Sequence, residues 1–221
     1  MSTTTAATGV RLRVTEVFRS LQGEADSAGW PTVFVRLTGC PLRCGYCDSA
    51  YAFGGGEWHE LESLVAQVAA FRTERVCVTG GEPLAQRQCV ELLHRLCDAG
   101  HRVSLETSGA MSLADVDPRV VKVVDVKTPG SGEEPRNRYD DLRTLQPTDL
   151  VKFVITGRDD YEWSRDRLPS LGLPAGVDVY FSPSFEQVKP GELADWILAD
   201  GLVVRLQLQM HKYLWGNVPG R

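Results

Sequence analysis

Three cysteines with the spacing of metal ligands lie within eight residues of this 221-residue chain. Cys40, Cys44 and Cys47 form a C-x3-C-x2-C pattern. Cysteine thiolates bind soft metals and iron–sulfur clusters, and a [4Fe–4S] cube usually takes four of them. Three ligands leave one iron open, and an open position distinguishes a catalytic metal centre from a closed structural one. A small molecule that carries both an amine and a carboxylate could chelate that iron.

A zinc site is the alternative for the same thiolates. Structural zinc sites usually take further ligands at some distance along the chain. The other cysteines, Cys77, Cys89 and Cys97, have no short spacing to one another, which favours small core residues over metal ligands. His59 could supply the fourth ligand of a Cys3His site. The spacing favours the cluster and leaves zinc open.

The composition is typical of a globular protein without a basic face. Hydrophobic residues make up 43% of the chain, charged residues 24%, and the formal net charge is −5. This balance disfavours a nucleic-acid partner, and no apolar run reaches the roughly 18 residues of a membrane span. Six cysteines without a signal peptide favour metal chemistry in a reducing compartment. We therefore expect one cytoplasmic domain over residues 1–221, with residues 1 to about 10 as a flexible end.

The hydrophobic pattern predicts strands that alternate with helices. β-branched and alternating apolar runs predict strands at 11–20, 32–37, 76–79, 103–106, 120–126, 150–155, 177–181 and 203–209. Apolar residues at helical spacing predict helices at 60–71, 89–99, 159–168 and 192–199. The segment 130–149 has a weak pattern, typical of a loop or a poor helix. The alternation indicates an α/β fold with a parallel sheet, but the strong helices are too few for a complete eight-unit barrel.

Polar and glycine-rich segments follow several of the predicted strands. The cysteine loop follows strand 32–37, and other strands lead into Thr79-Gly80-Gly81-Glu82-Pro83, Glu106-Thr107-Ser108-Gly109, Asp125-Val126-Lys127 and Ser182-Pro183-Ser184. Open α/β folds bind ligands at the carboxyl ends of their strands, so we expect these segments to surround one pocket. Taken singly, Thr79-Gly80-Gly81-Glu82-Pro83 is more typical of a strand-to-helix turn. The segments at Glu106 and Asp125 are each also typical of a solvated turn.

The cysteine pattern, with Tyr46 as the aromatic residue before the last cysteine, resembles the signature of the radical S-adenosylmethionine enzymes. Other segments resemble the 7-carboxy-7-deazaguanine synthases, namely Ser20-Leu21-Gln22-Gly23-Glu24, Phe34-Val35-Arg36-Leu37-Thr38-Gly39-Cys40, Gly80-Gly81-Glu82-Pro83 and His211-Lys212-Tyr213-Leu214-Trp215. The resemblance runs from about Val14 to the end of the chain. It implies an incomplete (β/α)6-type partial barrel in which some helices are shortened or lost.

The resemblance implies that Cys40, Cys44 and Cys47 hold a [4Fe–4S] cluster whose open iron binds the amine and carboxylate of S-adenosylmethionine. One electron from such a cluster cleaves the sulfonium to a 5′-deoxyadenosyl radical. The backbone of Tyr46 would face the adenine, and the carboxylate of Glu82 would meet the cofactor's amino group. The implied cofactor site comprises Tyr46, Cys47, Asp48, Gly80, Gly81, Glu82, Ser108, Asp125, Lys127 and Ser182.

The same resemblance implies a site for a pterin. Gln22 carries both a donor and an acceptor, which suits the amide edge of a pterin. Arg36 suits a bidentate contact with a carboxylate, although a salt bridge to a neighbouring acid is an equal alternative. In the family the terminal carboxylate, here that of Arg221, can also approach the substrate. The implied substrate contacts are Leu21, Gln22, Gly23, Glu24, Arg36, Thr79, His211 and Arg221.

Ser49 departs from the family pattern, in which threonine more often follows Cys-Asp and binds Mg²⁺ through its hydroxyl. Serine keeps that hydroxyl, so a ligand for a hard cation is retained. The missing methyl group loosens the rotamer, which puts the affinity for the metal in doubt rather than its binding. One protein oxygen makes a poor Mg²⁺ site, so the substrate and water would have to complete it.

The implied reaction converts 6-carboxy-5,6,7,8-tetrahydropterin to 7-carboxy-7-deazaguanine with loss of ammonia, a step toward queuosine and related deazapurines. The radical would abstract hydrogen from C6, and return of the hydrogen would regenerate S-adenosylmethionine. An external electron donor such as a flavodoxin and a second copy in a homodimer are the implied partners. Two alternatives remain: an activase that makes a glycyl radical on a partner protein, and a zinc-binding interaction module.

Overall fold

One mixed sheet carries every strand in the described part of the chain. The computed structural model describes residues 9–216, 218 and 220, so the prediction at Arg221 lies outside the described residues. The strands are β1 (Arg11–Leu21), β2 (Pro31–Leu37), β3 (Glu57–Glu60), β4 (Arg75–Gly80), β5 (Arg102–Thr107), β6 (Val121–Asp125), β7 (Leu150–Ile155), β8 (Asp178–Pro183) and β9 (Arg205–Leu206). The helices are α1 (Leu61–Ala70), α2 (Cys89–Asp98), α3 (Tyr139–Leu142), α4 (Arg158–Arg167), α5 (Pro190–Ala199) and α6 (Met210–Trp215).

The sheet has the order β3-β1-β2-β4-β5-β6-β7-β8-β9 and does not close on itself. From β2 through β9 every neighbouring pair is parallel. The crossovers are incomplete, since no helix separates β5 from β6, and between β6 and β7 there are two three-residue 3-10 helices and one α-helix, the four-residue α3. An open α/β sheet with lost and shortened helices confirms the predicted partial barrel.

The sequence prediction was wrong at both edges of the sheet. The parallel arrangement does not extend to β1, which pairs antiparallel with β2 and β3. Strand β3 was missed because Glu57-Trp58-His59-Glu60 is polar and largely exposed, without the alternation that marks a half-buried strand. The predicted strand at 203–209 shrinks to Arg205–Leu206, because only these residues pair with β8. Leu21, expected in a loop, ends β1.

The core lies on both faces of the central parallel strands. Strands β4 and β7 are buried over almost their whole length, as their largely apolar sequences favour. Cys77 and Cys89 are fully buried, and Cys97 packs against the same cluster of apolar residues. Cys77 and Cys89 are core residues, as expected, and Cys97 lies at the edge of the core. Among the helices described, none is both long and apolar enough to span a bilayer.

Candidate active site

A cavity of about 710 Å³ opens where the parallel strands end, and its size suits small molecules. Each parallel strand from β2 to β8 contributes at least one residue at its carboxyl end, as the sequence predicted. The strand residues that face the cavity include Arg36, Thr79, Gly80, Glu106, Thr107, Asp125, Lys152, Ser182 and Pro183. The cysteine loop, the loop after β1 and the segment around α6 line the remaining walls.

The cysteine loop follows β2 and is fixed at several points along its backbone. Gly39 N–H donates to the carbonyl of Ala52 at 2.8 Å, and Gly45 N–H donates to the carbonyl of Ser131 at 3.1 Å. The backbone N–H of Arg43 donates to Glu133 Oε1 at 2.6 Å. Cys40, Cys44 and Cys47 are free, partly exposed and line the same cavity. The loop therefore presents three thiols to one wall of the site.

The thiols suit a cluster better than one zinc ion. Burial raises the pKa of Cys44 to about 11, so a bound metal would have to supply the charge that deprotonates it. In the described part of the chain, no three His, Cys, Asp or Glu side chains form a group that could hold a metal ion. The thiolates of a cube bind different irons and need not converge on one point. His59 lines a separate cavity with Val14 and Gln67, which argues against the Cys3His alternative.

The Gly80-Gly81 loop packs directly against the start of the cysteine loop. Gly81 N–H donates to Leu37 O at 3.1 Å, and Glu82 N–H donates to Gly39 O at 2.8 Å. A Cβ atom on Gly81 would lie 2.3 Å from Gly39 O and 2.8 Å from the Cβ of Cys40. Both contacts are far inside van der Waals distance, so this approach requires glycine.

We expect Gly81→Ala to displace the Cys40 end of the cysteine loop. A misplacement of about 1 Å can cost roughly 100-fold in rate, so formation of 5′-deoxyadenosine should fall by about that factor. Gly191→Ala is the matched control, because a Cβ there meets nothing within 4 Å. Anaerobic rates for both variants, measured at equal iron content, check the prediction. Equal rates for the two variants would contradict the packing argument.

Glu82, the implied contact of the cofactor's amino group, is held by donors from the protein itself. Its carboxylate is fully buried and accepts from Ser108 N–H at 2.7 Å, Ser108 Oγ at 2.5 Å and Leu84 N–H at 3.0 Å. Thr107 Oγ1 donates to the same carboxylate at 3.0 Å. Glu82 does not line the cavity, whereas Ser108 does. The carboxylate therefore ties the ends of β4 and β5 together, and Gly80, Gly81 and Ser108 line the cavity at this wall.

Among the residues that the structure describes, two buried polar atoms of cavity-lining side chains have no hydrogen-bond partner: the hydroxyl of Tyr46 and Oδ1 of Asp125. Burial raises the pKa of Tyr46 far above its ordinary value, so its hydroxyl stays protonated as a donor. The other carboxylate oxygen of Asp125 lies 2.9 Å from Lys127 Nζ. Buried polar atoms are nearly always satisfied, so these two atoms fit a site for a polar ligand such as a nucleoside cofactor.

Charged side chains of opposite sign lie next to one another in the lining of the cavity. Lys152 Nζ, on β7, lies 2.6 Å from Glu24 Oε2 and 3.9 Å from Asp125 Oδ2. Burial would lower the pKa of Lys152, but the carboxylates of Glu24, Asp125 and Glu106 raise it above its ordinary value. These contacts hold the charged groups in fixed positions relative to one another.

The predicted substrate loop is held by the C-terminal segment. Glu24 accepts from Gln207 Nε2 and Gln209 Nε2, each at 3.0 Å. Met210 N–H donates to Gly23 O at 3.1 Å, and a Cβ on Gly23 would lie 2.3 Å from His211 Nδ1. The loop and His211, far apart in sequence, therefore meet in one wall of the cavity, and Gly23 allows that contact.

Arg36 has the neighbouring acid that the sequence left as an alternative. Its Nε lies 2.7 Å from Glu16 Oε1, which also accepts from the hydroxyl of Tyr51 at 2.8 Å. The guanidinium lies over the rings of Phe18 and Tyr51 and still lines the cavity. Only Nε is used by Glu16, so the remaining N–H groups can reach a ligand carboxylate.

Ser49 lines the cavity beside Asp48, and its hydroxyl donates to Asp48 Oδ1 at 3.0 Å. A hydroxyl that donates one hydrogen bond keeps lone pairs for a hard cation, so the position fits a Mg²⁺ ligand. Asp48 also lies 2.9 Å from Lys212 Nζ on α6. Although burial would raise the pKa of Asp48, Lys212 holds it at about 2. This ion pair joins the cysteine loop to α6.

The structure brings every described residue of the predicted site to this cavity or its wall, with Glu82 set behind it. Among the polar lining residues that were not assigned to the site are Glu106, Lys152 and Gln209. Lys152 interrupts the apolar run Leu-Val-Lys-Phe-Val-Ile, and a charge inside a buried strand is rare unless it is paired, so that signal was available in the sequence.

Comparison with known proteins agrees with this geometry. Residues 34–124 match the model of the Radical SAM superfamily. The 7-carboxy-7-deazaguanine synthase of Koribacter versatilis is 44% identical over 92% of this chain and 97% of its own, and that of Chlorobaculum tepidum is 41% identical over 95% and 96%. The crystal structure of QueE from Escherichia coli covers 91% of this chain and 95% of its own with a TM-score of 0.73, at 23% identity, and shows the same fold. The chain belongs to the 7-carboxy-7-deazaguanine synthase family of radical S-adenosylmethionine enzymes.

Proposed function

We propose that this chain converts 6-carboxy-5,6,7,8-tetrahydropterin to 7-carboxy-7-deazaguanine and ammonia, in the route to queuosine and related deazapurines. The observation that carries the proposal is that one cavity holds both the three thiols and the residues suited to a carboxylated pterin. Family membership implies a [4Fe–4S] cluster and S-adenosylmethionine as cofactors. The single sheet that contains all described strands supports one domain for the reaction.

Cys40, Cys44 and Cys47 would hold the cluster, with S-adenosylmethionine along the backbone of Gly80 and Gly81. When bound, the cluster supplies the electron that generates a 5′-deoxyadenosyl radical for hydrogen abstraction at C6. The unpartnered atoms of Tyr46 and Asp125 supply a donor and an acceptor for the cofactor. The implied cofactor contacts at Cys47, Asp48, Ser108, Lys127 and Ser182 belong to the same proposal, and Glu82, set behind the wall, would act by holding Ser108 in place.

The substrate would lie between the cofactor and the loop Leu21-Gln22-Gly23-Glu24. Arg36 would bind its carboxylate through the N–H groups that Glu16 leaves free. Thr79 and His211 complete the walls near that loop. The protein's task is to position the substrate and keep water out while the cofactor carries the radical chemistry.

Mg²⁺ is the third cofactor of the proposal. The Ser49 hydroxyl and the substrate carboxylate would each supply an oxygen, and water would complete the octahedron. Turnover should therefore fall after chelation and recover when Mg²⁺ is added back. Activity that is unchanged by complete removal of divalent cations would contradict this role.

Three further proposals concern the surroundings of the enzyme. The six free thiols suit a reducing compartment, for which we propose the cytoplasm. A flavodoxin is the proposed electron donor, and turnover with reduced flavodoxin in place of dithionite tests it.

A homodimer would cover exposed apolar side chains around the edge strand β9; these are Leu198, Val203, Leu206 and Leu208. Sedimentation at the mass of one chain would contradict the dimer.

The experiment that tests the activity is an anaerobic assay of the cluster-loaded protein with dithionite, Mg²⁺, S-adenosylmethionine and 6-carboxytetrahydropterin. We expect 7-carboxy-7-deazaguanine by mass spectrometry. If only 5′-deoxyadenosine and methionine form, the cofactor chemistry stands and the substrate is wrong. If a protein loaded with its cluster forms neither, the proposed activity fails.

A further inference from the structure

The segment that follows β6 anchors the cysteine loop on both sides of Cys44. Gly45 N–H donates to the carbonyl of Ser131 at 3.1 Å, and Arg43 N–H donates to Glu133 Oε1 at 2.6 Å. Cys44 lies between these two donors in the sequence. The position of its backbone therefore depends on where that segment lies.

Residues 128–133 of this segment form a compact turn, the β6 turn. Ser131 Oγ donates to Thr128 O at 2.6 Å and accepts from Glu133 N–H at 3.0 Å. Ser131 N–H donates to the same carbonyl of Thr128 at 3.1 Å. These bonds connect the first residue of the turn to the last two that hold the cysteine loop. A contact that fixes the start of the turn therefore also fixes the carbonyl that binds Gly45.

One buried carboxylate, that of Asp160, fixes the β6 turn to the sheet. Asp160 lies in the first turn of α4 and is 3% exposed. Its Oδ1 accepts from Gly130 N–H at 2.8 Å, and its Oδ2 accepts from Thr128 Oγ1 at 2.9 Å. The same Oδ2 accepts from the N–H and the hydroxyl of Thr156, at 3.2 and 2.5 Å. The carboxylate thus joins the β6 turn to the residue that follows β7.

The packing around this carboxylate leaves no room for a side chain at Gly130. A Cβ atom there would lie well inside van der Waals distance of Thr156 Oγ1 and Asp160 Oδ2. Asp160, Gly130 and Thr128 all lie outside the lining of the cavity. The group can therefore influence the site through the cysteine loop and not by direct contact with a ligand.

We propose that Asp160 is a positioning residue that sets the place of Cys44, the middle of the three cluster ligands. This inference rests on the proposed ligation of the cluster by Cys44 and deepens it by naming the carboxylate that holds this ligand. The Cys40 end of the loop is held separately, through the hydrogen bond of Gly39 to Ala52. Asp160 therefore controls the Cys44 end of the loop.

A neutral amide at this position cannot replace the carboxylate. Gly130 N–H and Thr156 N–H donate to different oxygens of Asp160, and a backbone N–H group cannot act as an acceptor. Asparagine has a single acceptor atom in its side chain, so it can serve one of these two donors and leaves the other without its partner. Asp160→Asn should therefore loosen the β6 turn while it keeps the size of the side chain.

The test follows amide hydrogen exchange of the cysteine loop in the cluster-loaded protein under anaerobic conditions. Mass spectrometry of a peptide that spans residues 41–47 reports the amides of Arg43 and Gly45, whose protection depends on the β6 turn. Loss of a charge-assisted hydrogen bond should speed this exchange about 10–100-fold in Asp160→Asn. Formation of 5′-deoxyadenosine should fall by about 10–100-fold, the usual cost of losing a group that orients a metal ligand.

Asp117→Asn is the matched control. Asp117 is also a buried carboxylate that accepts a backbone N–H, from Arg119 at 2.8 Å, but it precedes β6 and therefore lies at the opposite edge of the sheet. Its thermal unfolding should shift to lower temperature, while exchange of residues 41–47 and the rate keep their wild-type values. Equal acceleration of the exchange in Asp117→Asn would indicate general destabilisation and would overturn the specific role of Asp160.

A second variant applies if Asp160→Asn does not fold by circular dichroism. Thr128→Val removes one of the donors to Asp160 with little change in side-chain size. It should speed exchange of residues 41–47 by about 3–10-fold, as expected for one hydrogen bond. Wild-type exchange in whichever variant folds would overturn the proposal.

A double-mutant cycle tests the route from Asp160 to the cysteine loop. Glu133→Ala removes the acceptor of Arg43 N–H. If both residues act through the β6 turn, Glu133→Ala should slow the reaction less in Asp160→Asn than in the wild type. Strictly additive effects on the rate would mean separate routes and would overturn the proposed connection.

These outcomes are distinct from failure of the proposed reaction. A wild type that forms no 7-carboxy-7-deazaguanine would overturn the reaction, whereas faster loop exchange and slower 5′-deoxyadenosine formation in Asp160→Asn would still support the role of Asp160. An active wild type with unchanged exchange in Asp160→Asn would overturn the role of Asp160 alone. Faster exchange at an unchanged rate would make Asp160 a stabilising residue only, which also overturns its role in positioning Cys44.

Discussion

Replacing Cys44 with alanine is expected to abolish cluster binding and turnover. Cys44 is one of three thiols that face the cavity, and two remaining ligands cannot hold a cube that already lacks its fourth. Mutation of groups that only orient metal ligands typically costs 10–100-fold, so loss of a direct ligand should exceed about 100-fold. Iron and sulfide content, the absorbance of the reconstituted protein and product formation measure the effect.

Cys97→Ala is the matched control for this result. Cys97 is also a partly exposed free cysteine, but it lies on α2, outside the cavity. The Cys97→Ala variant should keep its iron, its colour and its activity. Full activity of Cys44→Ala would refute the assignment of the cluster to this loop.

The second large effect is expected for Lys152→Met. The substitution leaves Glu24 buried without the ammonium group that lies 2.6 Å from its Oε2. Removing one partner of a buried ion pair typically costs about 3–5 kcal/mol, because the other charge remains desolvated. Urea unfolding of the cluster-loaded protein under anaerobic conditions at pH 7.5 should show a loss of about 3 kcal/mol.

The loss of stability in Lys152→Met should become smaller as the pH falls. Burial would raise the pKa of Glu24, but Lys152 lowers it below its ordinary value of 4.5. In the wild type the ionised Glu24 therefore stabilises the fold above about pH 4.5, and this contribution is lost as the pH falls through the lowered pKa. In Lys152→Met burial acts unopposed by that lysine, so protonation of Glu24 becomes favourable and the difference between the two proteins should shrink toward pH 4.5.

A double variant completes this test. Glu24→Gln together with Lys152→Met removes both charges and should recover part of the stability lost in the single variant. Lys189→Met is the control, since Lys189 is exposed and lies outside the cavity. A free energy of unfolding within about 0.5 kcal/mol of the wild type for Lys152→Met would contradict the importance of the pair.

Local pattern was enough to predict the interior of the fold. Buried β-branched runs, as in β4 and β7, are strands because both faces pack against apolar layers. The strands at the two edges of the sheet could not be predicted from such runs. The polar β3 has no apolar alternation and exists because β1 offers it hydrogen bonds, and β9 is limited by how far β8 extends.

In the candidate site, too, the features that depend on neighbouring residues could be predicted, whereas contacts that depend on strand pairing could not. The cysteine loop could be placed at the end of a strand because the β-branched run at 32–37 leads directly into it. The Arg36–Glu16 pair could not, because it depends on an antiparallel register that shifts between Val14 and Glu16. The partners of Glu82 likewise follow from the parallel pairing of β4 with β5, which a single motif does not contain.

The central claim is that this chain performs a radical ring contraction that starts at C6 of a carboxylated tetrahydropterin. The most direct measurement is the anaerobic assay with substrate deuterated at C6, followed by mass spectrometry of the product and of the recovered S-adenosylmethionine. We predict 7-carboxy-7-deazaguanine together with deuterium in the recovered S-adenosylmethionine. Two results would contradict the account. One is that the cluster-loaded protein forms no 7-carboxy-7-deazaguanine. The other is that it forms this product without deuterium in the recovered S-adenosylmethionine.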